Sequence, residues 1–247
     1  MRNELRDIVK HTGGALGFIE IVKVIGSDTA TEIESLASDK SVIIKGHLID
    51  PLADLKGVFG LTNLGLLKQL VEFPNYKTDG ATVSVKYRDR GGENIAEEII
   101  FKDEAGSKDH YRLMAKEVIP EQPKFLGASW NVEIAPTKSM IKEFAQRAGM
   151  YSSQETHFQI NTVDGDLVIF FGDPEAASHK GTMVFEKGVL GTLRAPLAFP
   201  ISQTLQILRL SDGADCTMSI TDKGALQIAI ESGLAVYNYI LPSKKNQ

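Results

Sequence analysis

An internal repeat constrains this chain more than any other feature. "LRDIVKHTG" from Leu5 and "IKEFAQRAG" from Ile141 run through the same residue classes in the same order, with Lys10 against Gln146 the loosest match. A second pair sets Leu64, Leu66, Leu67 and Lys68 of "LGLLKQL" against Leu205, Ile207, Leu208 and Arg209 of "LQILRL", at nearly the same separation along the chain. In each copy this motif leads into alternating, strand-like sequence. "ATVSVKYRD" from Ala81 corresponds to "ADCTMSITD" from Ala214, and "HYRLMA" from His110 to "AVYNYIL" from Ala235. An amphipathic helix and a half-buried strand must each bury one side against another element. A duplicated helix–strand unit therefore predicts two similar α+β domains in tandem.

Periodicity places the elements. Leu5, Ile8 and Val9 form one apolar stripe, which predicts a helix over 1–11 stopped by Gly13 and Gly14. A second helix is expected from about Leu61 to Phe73. Thr137 caps a third over 137–149, whose stripe is Ile141, Phe144 and Ala145, and Pro200 opens a fourth over 200–211. Strands are expected at 15–25, 29–37 and 41–49 in the first copy and at 156–163, 166–173 and 179–187 in the second. Asp164, Gly165 and Asp166 supply a hairpin turn between two of them. "KEVIPEQPKFLG", with two prolines, reads as an extended connection. The expected organisation is a first repeat over 1–117, a linker over 118–127 and a second repeat over 128–247.

The chemistry expected of most enzymes is missing. "HTGGALG" at His11 has no GK[ST] and follows a helix, so it fails as a phosphate loop, and no G-x-S-x-G occurs. The five histidines, His11, His47, His110, His157 and His179, have no metal-ligand spacing. Glu97 and Glu98 are adjacent in strand-like sequence, so their side chains are expected on opposite faces. Cys216, the single cysteine, alternates with Met218 and Ile220 as a core residue does, and excludes an internal disulfide. No catalytic residue, metal or cofactor is expected. No apolar run approaches a membrane span, and "MRNELRDIVK" is charged throughout. These point to a soluble intracellular protein without a membrane partner.

Net charge is −5, which taken alone argues against nucleic-acid binding. The distribution argues otherwise. The four expected helices hold eight basic residues (Arg2, Arg6, Lys10, Lys68, Lys138, Lys142, Arg147 and Arg209) against four acidic ones (Glu4, Asp7, Glu72 and Glu143). They carry +4, which leaves −9 for the rest of the chain. Positive helices on an acidic body suit a polyanion held through its backbone.

Together with the duplication, "TMSITDKGALQIAIESGLAVYNYILP" from Thr217 and "IESLASDKSVII" from Ile33 resemble the DNA polymerase sliding clamps of the trimeric type. That family includes proliferating-cell nuclear antigen and the processivity factors of T4-type phages. Because the sequence begins almost directly in its first helix, it is more similar to the phage type, which implies a viral protein acting in a host's cytoplasm or nucleoid. The resemblance implies a homotrimeric ring around double-stranded DNA, with helices inside and sheets outside. The eight basic helix residues would face the phosphates non-specifically. It also implies an apolar pocket of Leu36, Ile43, Val118, Ile119, Pro120, Ile240, Leu241 and Pro242. That pocket would take peptide motifs of a DNA polymerase and of the clamp-loader ATPase. Subunits would join by edge strands, His110, Tyr111, Arg112, Leu113 and Met114 of one chain meeting Thr182, Met183, Val184 and Phe185 of the next. The rival expectation is a duplicated β-rich adaptor or structural subunit that never touches nucleic acid.

Overall fold

Leu5, Ile8 and Val9 are almost completely buried. Each buried aliphatic side chain contributes about 1.5–3 kcal/mol relative to exposure, so this stripe, more than local propensity, makes helix α1 (Arg2–Val9). In the computed structural model, residues 1–14, 17–121, 125, 127–172, 179–211 and 215–244 are described. Beyond Val9 the winding continues as a wide π-turn over Lys10–Gly14 and ends at the two glycines. Four strands follow, β1 (Val22–Gly26), β2 (Thr31–Leu36), β3 (Ile43–Leu48) and β4 (Gly57–Leu61). Helix α2 (Leu64–Glu72) is capped by Asn63, whose side chain accepts from the Leu66 N–H. Then come β5 (Thr82–Arg90), β6 (Glu93–Lys102), β7 (Lys108–Arg112) and the two-residue β8 (Met114–Ala115).

The second half repeats this order. After β9 (Val132–Ile134) come α3 (Lys138–Tyr151), with Thr137 as its cap, and strands β10 (His157–Val163), β11 (Asp166–Phe171), β12 (Gly181–Glu186) and β13 (Leu197–Pro200). Helix α4 (Ile201–Leu210) leads to β14 (Asp215–Thr221), β15 (Ala225–Glu231) and β16 (Ala235–Pro242). Asp164 and Gly165 both have positive φ, 50° and 86°, as the tight turn between β10 and β11 requires. Among the described residues no helix is long and apolar enough to cross a membrane.

The chain divides into two compact units, Met1–Pro123 with Ser232–Tyr237, and Lys124–Glu231 with Asn238–Gln247. In the first, antiparallel strands run in the order β8-β4-β1-β2-β3, and the opening residues of β16 lie beside β3, where the Ile49 N–H donates to the Leu234 carbonyl at 2.9 Å. A separate sheet holds β5-β6-β7. In the second unit the corresponding sheet is β13-β10-β11-β12, and the rest of β16, β15, β14 and β9 are neighbours, in that order, in another sheet. Phe144 of α3 anchors that unit, its ring 5.2 Å from Phe158, 5.9 Å from Phe171 and 6.3 Å from Phe185.

Three expectations need correction. The buried residues of α2 (Leu64, Leu67, Leu70, Val71) have the same spacing as the first four of α4 (Ile201, Thr204, Ile207, Leu208, before Leu210), so Leu64 corresponds to Ile201 and not to Leu205. The sequence match slipped by one helical turn, which leaves the apolar stripe on the same side and so escapes detection. Leu66 is accordingly exposed while Ile207 is buried. The first strand is shorter than 15–25: it begins at Val22, with 15–16 outside the described residues. Finally, Glu97 and Glu98 do not point to opposite faces. The β5–β6 register shifts between Lys86 and Tyr87, a bulge that leaves Glu97 as the extra residue. Both carboxylates consequently reach the same cations, Lys86 at 3.5 and 3.8 Å, and Arg112.

Candidate nucleic-acid and partner interfaces

In the first unit, α1 buries its stripe and turns Arg6 and Lys10 outward. Arg6 lies 4.0 Å from Glu72 of α2, which Lys77 also holds at 2.5 Å. Arg2 is half-buried, and its guanidinium donates to the Tyr76 carbonyl. Lys68 is exposed on α2. In the second unit, α3 presents Lys138 and Lys142, and α4 presents Arg209, all exposed. Arg147 is different: it is bound to Glu143 at 2.8 Å and donates to the Thr182 carbonyl of β12 at 3.2 Å. Lys142, Gln146, Arg147 and Met150 line an open groove of about 570 Å³ along α3. Among the described residues, Lys10, Lys138, Lys142 and Arg209 take part in no ion pair, so their full charge is directed at solvent.

Beneath α1 a polar cluster fixes the helix to β16 within the first unit. Asp7 accepts from the Ser232 hydroxyl at 2.8 Å and the Tyr237 hydroxyl at 2.9 Å, and His11 stacks on Tyr237 at 4.5 Å. Burial drives the His11 imidazole down to about 4, against the pull of Asp7 and with the push of Lys10. It is therefore neutral at pH 7 and adds nothing to the positive face of α1.

The first unit's sheet has a second, open face. Glu34 of β2 bridges Lys23 at 2.9 Å and Lys45 at 3.1 Å, and Lys23 pairs across β1–β4 with Gly60. Burial pushes the Glu34 carboxyl up, but the hydrogen bonds and charges of the two lysines outweigh it and hold it below the ordinary range. Leu36 and Ile43 are direct partners across β2–β3, two residues from Glu34 and Lys45, and so share their face. Ile119 covers Gly60 on that face, within 3.4 Å of where a β-carbon would sit. Val118, 65% exposed, and exposed Pro120 flank it. The structure thus brings Leu36, Ile43 and Ile119 to one face of one unit. In the second unit, Ile240 and Leu241 are both buried and Pro242 is exposed.

Among the described strands, β7 and β12 each end a sheet. On β7, His110 and Arg112 point outward toward Glu98, while Tyr111 is buried and donates to the Thr62 carbonyl. His110 and Arg112, by hydrogen bonding, hold the Glu98 carboxyl below its ordinary range. Leu113 and Met114 are half-buried. On β12, Met183 and Phe185 are buried and Thr182 and Val184 exposed. Sequence reasoning missed Tyr151, whose hydroxyl donates to the Lys180 carbonyl at 3.1 Å. The signal was Gly181, where a β-carbon would sit 2.4 Å from that hydroxyl.

No protein-family model and no curated protein matches the sequence. Solved structures do. PCNA of A. fulgidus, in a structure of the C-terminal region of FEN-1 bound to it, superposes with a TM-score of 0.69 at 10% identity, covering 100% of this chain and 97% of that one. PCNA from Thermococcus kodakaraensis gives 0.68 at 10% identity over 99% and 97% of the two chains. Proliferating cellular nuclear antigen from Entamoeba histolytica gives 0.68 at 10% over 98% and 96%. The chain has the sliding-clamp fold, from one end of its sequence to the other.

Proposed function

We propose that this chain is a DNA polymerase processivity factor, three copies of which close into a ring that encircles duplex DNA without reading its sequence. The observation that carries the reading is the separation of charge. Cations on four helices, two in each unit, stand on a body that is otherwise strongly acidic. A ring linked topologically to DNA needs only weak backbone contacts, which hold it while it slides. Lys10, Lys68, Lys138, Lys142, Arg6 and Arg209 supply most of the field, with Arg2 and Arg147 also anchoring their own units.

Pairing of edge strands supports the ring. β3 is flanked by β16; β12 is the counterpart of β3, and β7 the counterpart of β16, yet both keep an open side. Repeating the β3–β16 pairing between chains joins β12 of one copy to β7 of the next. That contact is head-to-tail, and closes when the rotation allows. The apolar face of half-buried Leu36, Ile43 and Ile119, with exposed Val118 and Pro120 beside them, takes a short apolar peptide of a polymerase or clamp-loader ATPase.

The test combines assembly with DNA binding. Sedimentation should give a species with the mass of three chains, each of 27.0 kDa. At low salt that species should bind a short blunt duplex, with an affinity that falls steeply as salt rises. Lys138→Glu, Lys142→Glu and Arg209→Glu together should abolish binding and leave the mass unchanged. A duplex affinity untouched by the triple reversal would favour the non-binding adaptor instead.

A further inference from the structure

We propose that helix α3 latches the open edge of β12, so that a second copy can add its β7 only after Arg147 and Tyr151 let go. This rests on the β12–β7 reading given above and adds a gate to it.

Backbone groups of alternate residues in an antiparallel strand face the same neighbour. In β3 the Ala37 N–H donates to the Val42 carbonyl, so the even residues face β2, and the Ile49 N–H faces the β16 side with the odd ones. The equivalence between β3 and β12 follows from their registers. Ser35 pairs with Ile44 and Ile33 with Gly46, as Phe171 pairs with Gly181 and Ile169 with Met183. Ile43 and Lys45 therefore correspond to Lys180 and Thr182. Those two carbonyls look away from β11 to the free side, where an incoming strand would place its N–H groups.

Each already accepts a hydrogen bond from a side chain of α3. Arg147 donates to the Thr182 carbonyl at 3.2 Å and Tyr151, one turn on, to the Lys180 carbonyl at 3.1 Å. The device is held in place on each side. Glu143 grips the Arg147 Nε at 2.8 Å, the Tyr151 ring stacks on Phe171 at 5.4 Å, and Gly181 leaves the room the phenol needs. Among the described strands of five or more residues, only β5, β7 and β12 end a sheet. Tyr87 of β5 is tied to the Asp54 carbonyl and the Lys56 N–H. β7 is thus the open edge that fits a latched β12, and a covered edge keeps an unassembled chain from pairing at random.

The experiment compares self-association of the full chain with Arg147→Met/Tyr151→Phe, which keeps the aliphatic stem and the stacked ring but removes both donors. Sedimentation in the absence of DNA over a dilution series should show association tightened roughly tenfold per contact, since two competing hydrogen bonds of ordinary net strength are gone. Thr182→Pro serves as the control, because it deletes an outward N–H without breaking the β11 ladder. If Thr182→Pro abolishes association but the double variant associates no more tightly, the latch is wrong and the β12 reading stands. If Thr182→Pro, still folded by its melting transition, leaves association unchanged, β12 is not the pairing edge and the latch falls with it.

Discussion

At pH 7 the imidazole of His11 lies neutral and stacked flat on Tyr237, next to the carboxylate that holds Tyr237 and Ser232. Its folded pKa of about 4 lies below the ordinary 6.5. Above 6.5 neither state binds the proton, and the contribution is complete. As pH falls through 6.5 the unfolded chain takes the proton first, and stability drains away until about pH 4, by on the order of 3 kcal/mol at most. His11→Phe keeps a flat ring against Tyr237 but cannot titrate. Its first unit should lose less stability between pH 7 and 5 than the natural chain, measured by urea unfolding at both values. An identical loss would place the acid sensitivity elsewhere. Phe144 tests the second unit in the same way. Three aromatic rings close on it, so Phe144→Ala should cost about 3–5 kcal/mol, read as a fall in the urea midpoint.

Elements were legible where periodicity is strong and misread where it is degenerate. The stripes of Leu5, Ile8 and Val9 and of Phe144 identified helices, and the alternation around Cys216, Met218 and Ile220 identified a core strand, with burial pushing the Cys216 thiol up to about 11. The one-turn slip between α2 and α4 was invisible because residues four apart share a helix face. The bulge at Glu97 was invisible because it depends on the partner strand's register. Strands β4 and β13 were missed altogether: both are short and run directly into the region read as helix. Packing of the π-turn after α1 against α2 also lay beyond the sequence, although Gly13 marks it. A β-carbon there would lie 2.1 Å from the Leu64 Cδ1 and 2.7 Å from its Cβ. The first could swing away and the second could not, so Gly13→Ala should force the π-turn and α2 apart and cost about 1–3 kcal/mol, seen as a lowered thermal midpoint.

For the whole molecule, the question is whether the two open edges belong to one contact. A head-to-tail contact has two different halves, and each can be blocked alone. Thr182→Pro blocks β12. On β7 the Leu113 N–H donates inward to the Glu97 carbonyl, so His110, an odd number of residues away, turns its N–H outward, and His110→Pro blocks that side. Each variant by itself should sediment as a single chain of 27.0 kDa. Mixed, they retain one good β12 and one good β7 between them, and should form a one-to-one species with the mass of two chains and nothing larger. A face-to-face dimer through one strand type predicts the opposite, since one of the two variants would still pair with itself. The heterodimer should also bind duplex DNA more weakly than the closed ring, because an open arc of two copies lets the duplex leave sideways. Equal affinity would mean that encirclement contributes nothing, and that the helices hold DNA as an ordinary charged surface does.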